Sequence, residues 1–237
     1  MGILDETTSG TVSGARKTLL YGPHGIGKST WASNWPNPVF VCTEEGSNDL
    51  DVTRTRLLTE TSEVAMAIKE IHDSTYETLV LDSIDWLEKL IQRDMDKEGF
   101  QDAFGRGTIE INRRISAILR MLDNVVKVGK NVVILGHAEI KTITRPDGAS
   151  WSQYTPKLTK QAVASVSEWV DELLFANNVI RTQTKEVGFK NVSVGIDSGK
   201  RVVYTEGSST FQAKHRKATL KPEYDLADVS TYLSDLS

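Results

Sequence analysis

Apolar residues in this chain are grouped into short unbroken runs separated by longer stretches of helical periodicity. Leu19-Leu20-Tyr21, Val39-Phe40-Val41-Cys42, Leu79-Val80-Leu81 and Val132-Val133-Ile134-Leu135 are apolar at odd and even positions alike. A strand with that pattern is buried on both faces, as in a parallel sheet covered by helices. Between the runs the period changes to that of a helix. Val64, Ala65, Ile68 and Ile71 follow Ser62, which is suited to an N-cap. Ile84, Leu87, Leu90 and Ile91 share one face between Ser83 and about Lys97. Ile111, Ile115, Ile118, Leu119, Leu122, Val125 and Val126 recur as far as Gly129, a good helix stop. Strands alternating with amphipathic helices predict an α/β fold with a doubly wound, mostly parallel sheet. Beyond a helix over residues 162–168 the pattern becomes strand-rich over 169–176, 192–196 and 201–205, and a short helix over 225–236 closes the chain.

The first strand runs into Gly22-Pro23-His24-Gly25-Ile26-Gly27-Lys28-Ser29-Thr30, with Trp31-Ala32 continuing as a helix. Glycines between a buried strand and a helix, followed by Lys-Ser, form a P-loop. Gly22, Gly25 and Gly27 allow positive φ and close approach, so that successive amide N–H groups surround a polyphosphate. Lys28 supplies a cation for the β- and γ-phosphates, and the Ser29 hydroxyl is the expected Mg²⁺ ligand. The ligand read from these residues is Mg·ATP. His24 falls at a variable position of the loop.

The strand over residues 78–82 ends in Asp82. A carboxylate there holds the metal's hydration shell from across the nucleotide. In many ATPases a glutamate follows that aspartate directly and orients the attacking water. Here Ser83 follows, a departure from the usual AAA+ arrangement. The base must come from the carboxyl end of a neighbouring strand, and Glu44 is the best candidate, with Glu45 and Asp85 behind it.

Composition adds little to the fold and more to the partners. With 237 residues, 39% hydrophobic and 25% charged, the chain has room for one substantial domain over 15–237, behind a polar leader over 1–14. No apolar run is long enough to cross a bilayer, and a single cysteine, Cys42, fits a reducing compartment, so a cytoplasmic location is expected without membrane contact. Four scattered histidines lack the spacing of a structural zinc site. The net charge of −4 conceals an asymmetry: residues 127–160 carry six Lys/Arg against two acids, and residues 181–221 carry nine against three. Basic segments on an otherwise acidic chain are one footprint of a polyanion-binding face.

Several motifs together carry a resemblance. Phe40-Val41-Cys42-Thr43-Glu44 looks like the second strand of RecA-type recombinases, whose catalytic glutamate matches Glu44, and Ile134-Leu135-Gly136-His137 resembles the strand whose terminal glutamine senses the γ-phosphate. The order of P-loop, Thr43-Glu44-Glu45-Gly46, Leu81-Asp82-Ser83, Gly136-His137-Ala138, Trp169-Val170-Asp171-Glu172 and Ala213-Lys214-His215-Arg216 is similar to that of bacteriophage RecA-like P-loop proteins of the Sak type, described as single-strand annealing proteins. The resemblance covers roughly residues 17–226. It implies a RecA-like P-loop NTPase core, a DNA-stimulated ATPase that promotes annealing or strand pairing, and a homo-oligomer, ring or filament, with a single-strand-binding protein as a further partner. It implies that His137 reports the γ-phosphate and that Lys214 or Arg216, with Lys217 beside them, acts on a neighbouring subunit's nucleotide. It also implies that the loop after the His137 strand contacts single-stranded DNA. Over residues 141–160 that loop offers Lys141, Arg145, Lys157 and Lys160 with Trp151 and Tyr154, the cations and stacking surfaces that single strands require. Arg106, in the loop over 99–107, is a weaker DNA candidate. Two other classes are open at this point: a nucleotide-dependent switch or loader, turning over slowly and indifferent to DNA, and a small-molecule kinase, for which no acceptor pocket is evident.

Overall fold

The computed structural model describes residues 7, 9, 14–102, 105–144, 147–187 and 190–237, with the backbone alone over 180–187 and 190–197. In chain order the elements are β1 (Lys17–Gly22), α1 (Lys28–Ala32), β2 (Pro38–Cys42), β3 (Thr53–Arg54), α2 (Thr61–His72), β4 (Thr78–Asp82), α3 (Ile84–Lys97), α4 (Arg106–Lys127), β5 (Asn131–Thr144), β6 (Ser150–Pro156), α5 (Lys160–Trp169), β7 (Glu172–Val187), β8 (Lys190–Tyr204), β9 (Glu223–Asp225) and α6 (Val229–Leu236). The sheet runs β3-β2-β4-β5-β1-β7-β8-β9, with β6 paired to β5. Strands β3 to β7 along that order are parallel; β8, β9 and β6 pair antiparallel. This is the α/β architecture of a P-loop NTPase core.

The unbroken apolar runs are explained by what each face meets. Leu19, Tyr21, Val39, Val41, Leu79, Leu81, Val132 and Ile134 pack on α2, α3, α4 and α5. Their neighbours Leu20, Phe40, Cys42, Val80, Val133 and Leu135 pack on α1 and α6, whose Trp31, Val229, Tyr232 and Leu236 lie on the other side. Each large apolar side chain so buried contributes on the order of 1.5–3 kcal/mol. Cys42 is a packing residue of this second layer.

Four local expectations need correction. Residues 141–160 are not a loop. The alternation Lys141, Thr142, Ile143, Thr144 against Ser150, Trp151, Ser152, Gln153 is the period of a strand with two dissimilar faces, and β5 pairs with β6 from Ala138↔Pro156 to Thr144↔Ser150. Two separate strands were expected over 192–196 and 201–205, yet β8 is continuous. The intervening Ser198-Gly199-Lys200 forms a bulge, because Asn178↔Arg201 and Ile180↔Asp197 both pair and the Ser198 hydroxyl donates to the Val179 carbonyl at 2.6 Å. Ser62 lies inside α2, whose N-cap is Glu60. Arg106 opens α4 rather than lying in a loop.

Because β5 and β7 flank β1, both hairpins continue past the carboxyl edge of the sheet on either side of the turn after Gly22. Tyr21 ties the roots together: its hydroxyl donates to a carbonyl of Tyr154 (3.1 Å) or Gln212 (2.7 Å), and its ring packs on Phe175. Gly22 itself does not need positive φ, unlike Gly25 (71°) and Gly27 (110°). It needs the space, since a Cβ there would lie 2.4 Å from the Ala176 carbonyl oxygen. No helix among the described residues is long and apolar enough to cross a membrane. Gly22→Ala should therefore force β1 and β7 apart, lowering the melting temperature and weakening ATP binding together, whereas Gly25→Ala, whose Cβ meets nothing within 4 Å, should cost about 1 kcal/mol of backbone strain; thermal melts of both variants check this.

Candidate active site

The site begins with backbone pairing. Parallel registers Cys42↔Asp82 and Asp82↔Leu135 bring the ends of β2 and β4 level with each other beside β5, and Gly22↔His137 places His137 beside the start of the P-loop. The tips of β2 and β4 are stitched further: the Thr43 amide donates to the Asp82 carbonyl, its hydroxyl donates to the Ser83 carbonyl, and the Ser83 amide donates back to that hydroxyl, each at 2.8 Å. Glu44 and Asp82 are thereby held at one edge by short-range geometry rather than by long side chains.

Two oxygen donors meet at that edge. The Ser29 hydroxyl donates to Asp82 Oδ2 at 2.9 Å. Adjacent oxygens around Mg²⁺, each at 2.0–2.1 Å, lie about 3 Å apart. A hydroxyl and a carboxylate with that separation therefore fit the hard, oxygen-preferring cation expected there. Asp82 is 3% exposed, and burial pushes its carboxyl up to about 6, opposed by the Ser29 hydrogen bond and reinforced by the charge of Glu44. Lys28 is also buried. Its ammonium donates to the carbonyls of Gly22 (3.2 Å) and Pro23 (3.0 Å), so the cation expected to meet phosphate rests on the loop's own oxygens. Burial holds it below the usual lysine range, with Asp82 and Glu44 acting the other way.

His137 is also buried. Asp85, at the start of α3, accepts from the His137 backbone amide at 3.1 Å and lies 3.0 Å from its Nδ1. Burial opposes ionisation of Asp85, and the contacts with His137 overcome it, holding the carboxyl below its ordinary range. A carboxylate so engaged is not free to activate water, which removes Asp85 from the alternatives to Glu44. Nε2 of His137 faces the other way, 3.9 Å from Glu44 Oε1. His24 also joins the group: its ring stacks on His137 with centroids 3.7 Å apart. Its partial burial, then His137 and Lys28, hold it below the ordinary histidine value. Glu45 is exposed on the outer side, beside a cavity of about 380 Å³ that Cys42, Glu44 and Arg54 also line.

The remaining expected residues lie elsewhere. Lys214 pairs with Leu173 through both backbone groups, and Arg216 reaches Asp171 at 3.2 Å, next to Lys17 at the start of β1. They lie toward the amino edge of the sheet, Lys214 level with Leu19 of β1 and Arg216 beside Asp171, on the side away from the turn after Gly22. Of the DNA candidates, Arg145 lies outside the described residues. Lys141 is tied to Glu139 at 2.7 Å and to the Leu158 carbonyl. The ring of Tyr154 stacks on Phe175, which makes it a packing anchor of the hairpin root. Trp151 is half-buried opposite Ile143. Lys157, Lys160 and Arg106 are exposed. Sequence reasoning missed Arg201, whose Nη1 donates to the Ile26 carbonyl at 3.0 Å from β8. The only local signal was its membership in a basic segment.

A family model described as an AAA domain matches residues 15–217. No curated protein matches the chain.

Two outcomes follow from this geometry. Glu44→Ala should bind ATP as wild type does and lose turnover, read by calorimetry and phosphate release. Asp82→Asn should stabilise the nucleotide-free protein at neutral pH while losing Mg²⁺-dependent ATP binding. Folding raises this carboxyl's affinity for its proton, so ionisation costs stability at neutral pH, by at most about 3 kcal/mol at about 1.4 kcal/mol per tenfold change in proton affinity. The gain in melting temperature should vanish below about pH 4, where the carboxyl is protonated in folded and unfolded chains alike.

Proposed function

The chain belongs to the AAA-domain family of P-loop ATPases, and on that premise we propose that it is a recombination ATPase of the phage RecA-like, Sak type, which couples Mg·ATP to binding and annealing of single-stranded DNA. The observation that carries the reading is continuity. The strand that delivers His137 to the nucleotide edge is the same strand, β5, that continues for seven paired residues as one side of the β5–β6 hairpin. A change at the γ-phosphate is thus linked by rigid backbone to an arm with the exposed cations Lys157 and Lys160 at its base.

In this reading Lys28 moves from the carbonyls of Gly22 and Pro23 to the phosphates. Ser29 and Asp82 would hold the metal, which would supply positive charge to offset that of the phosphates. Glu44 accepts a proton from the attacking water, and His137, oriented by Asp85 through Nδ1, turns Nε2 toward Glu44 and the side of the γ-phosphate. Lys214 or Arg216, at the opposite edge, acts on the next subunit when subunits stack head to tail, a heterologous contact that builds a ring or a filament.

Steady-state hydrolysis at low salt, with and without single-stranded DNA and with Lys28→Ala as blank, tests the proposal. DNA stimulation that fades as salt rises is the expected result. Lys157→Ala with Lys160→Ala should lower the stimulated rate and reduce the salt slope of DNA binding by about one to two. A rate indifferent to DNA would instead favour a nucleotide-dependent switch.

A further inference from the structure

Lys28 is not the only cation resting on the P-loop. Arg201 lies on β8, two strands from β1 through β7, and its guanidinium packs directly on the loop: Nη1 donates to the Ile26 carbonyl at 3.0 Å, and a Cβ at Gly27 would lie 3.2 Å from the same nitrogen. The backbone behind it is fixed. Its carbonyl accepts from the Leu226 amide at 3.0 Å, and the Leu226 side chain packs against Gly27 beside it. Among the described residues no carboxylate pairs with this guanidinium, although it is exposed and stands one residue from the phosphate-binding lysine.

From this we infer that Arg201 is a second phosphate-contacting cation of the nucleotide site, contributed in cis from β8. Arg201 and Lys28 are in the same condition. Each donates to P-loop carbonyl oxygens, and each therefore has a neutral acceptor where a phosphate oxyanion would be the stronger one. Charge-assisted hydrogen bonds to anions are roughly twice as strong as those to neutral carbonyls. A guanidinium with further N–H donors in a fixed fork can hold the Ile26 carbonyl and a phosphate oxygen together. The positive φ of Gly27, 110°, turns the chain beneath the guanidinium, and a side chain there would displace it. The assignment gives the site its cation from within the same chain, whereas Lys214 and Arg216 stand at the far edge of the sheet. It also makes the root of the β7–β8 hairpin sensitive to the nucleotide, as His137 does for the root of β5–β6.

The inference rests on ATP occupying the P-loop, and calorimetric titration of the full chain with Mg·ATP separates the two. Lys28→Ala checks the P-loop reading by itself: loss of binding there sustains it, and wild-type binding there sinks it. Against that reference, Arg201→Gln, which keeps a donor for the Ile26 carbonyl but removes the charge, should weaken ATP binding about five- to tenfold and flatten its dependence on salt. Arg201→Lys should recover most of the loss. Melting curves without nucleotide should overlay for the three proteins. Wild-type affinity and salt dependence in Arg201→Gln would overturn the inference. So would a loss with unchanged salt dependence that Arg201→Lys does not repair, since that marks a mere brace of the loop.

Discussion

Parallel pairing of β1 between β5 and β7 is the constraint on which the rest of this molecule depends. It buries β1 on both faces and pairs its central residues, Thr18 to Tyr21, with a strand on each edge, so their polar backbone groups are used in the sheet. The chain can change direction only at the carboxyl end, where Gly22 lies so close to Ala176 that no other residue fits without displacement. Everything with chemical potential is arranged around that exit. Strands β2 and β4 end near its level, β5 passes it at His137, and two antiparallel hairpins continue past it on either side. The phosphate-binding turn consequently has rigid neighbours on both flanks.

The electrostatics of the edge describe a site poised for a charged ligand. Asp82 is buried and holds its proton more tightly than usual, and Lys28 is buried and holds its own less tightly. Both shifts arise first from burial, and both shrink when a metal and a polyphosphate supply the missing opposite charges. Stability is given up locally at this edge, and the two apolar layers of the sheet, with their aromatic clusters around Trp31 and Phe175, offset it. His137 has a different place in this balance, since Asp85 and Glu44 stand on opposite sides of its ring and His24 covers its face.

Two short structural paths join the P-loop to the hairpins. One runs from His24 through His137 into β5 and β6; the other runs from Ile26 through Arg201 into β8 and β7. Each path is a single contact followed by continuous strand, a stiff connection compared with a chain of loop contacts. Both hairpin roots are also joined through Tyr21 and the ring group of Tyr154, Phe175, Tyr204 and Phe211. That packing accounts for Tyr154 being an anchor and not a platform for bases.

What the sequence determined by itself was local. Doubly apolar runs, helical periodicity and the Gly-rich turn before Lys28-Ser29 each follow from interactions within a few residues, and they sufficed for the α/β class, the P-loop and the Asp82 strand. The position of Glu44 at the same edge was also legible, because strand ends at one edge follow from the parallel topology. Partners distant in sequence were decided only in three dimensions. Asp85 belongs to His137 across 52 residues, and Arg201 reaches Ile26 across 175. Lys214 and Arg216 fall at the amino edge because antiparallel strand direction and a returning segment, neither encoded by spacing, carry them there. Whether residues 141–160 formed a loop or a hairpin was written in their alternation, but which aromatic faced inward depended on Phe175 being there to meet it. Close packing selects among faces by what already occupies the other side, and that information is not local to any stretch of chain.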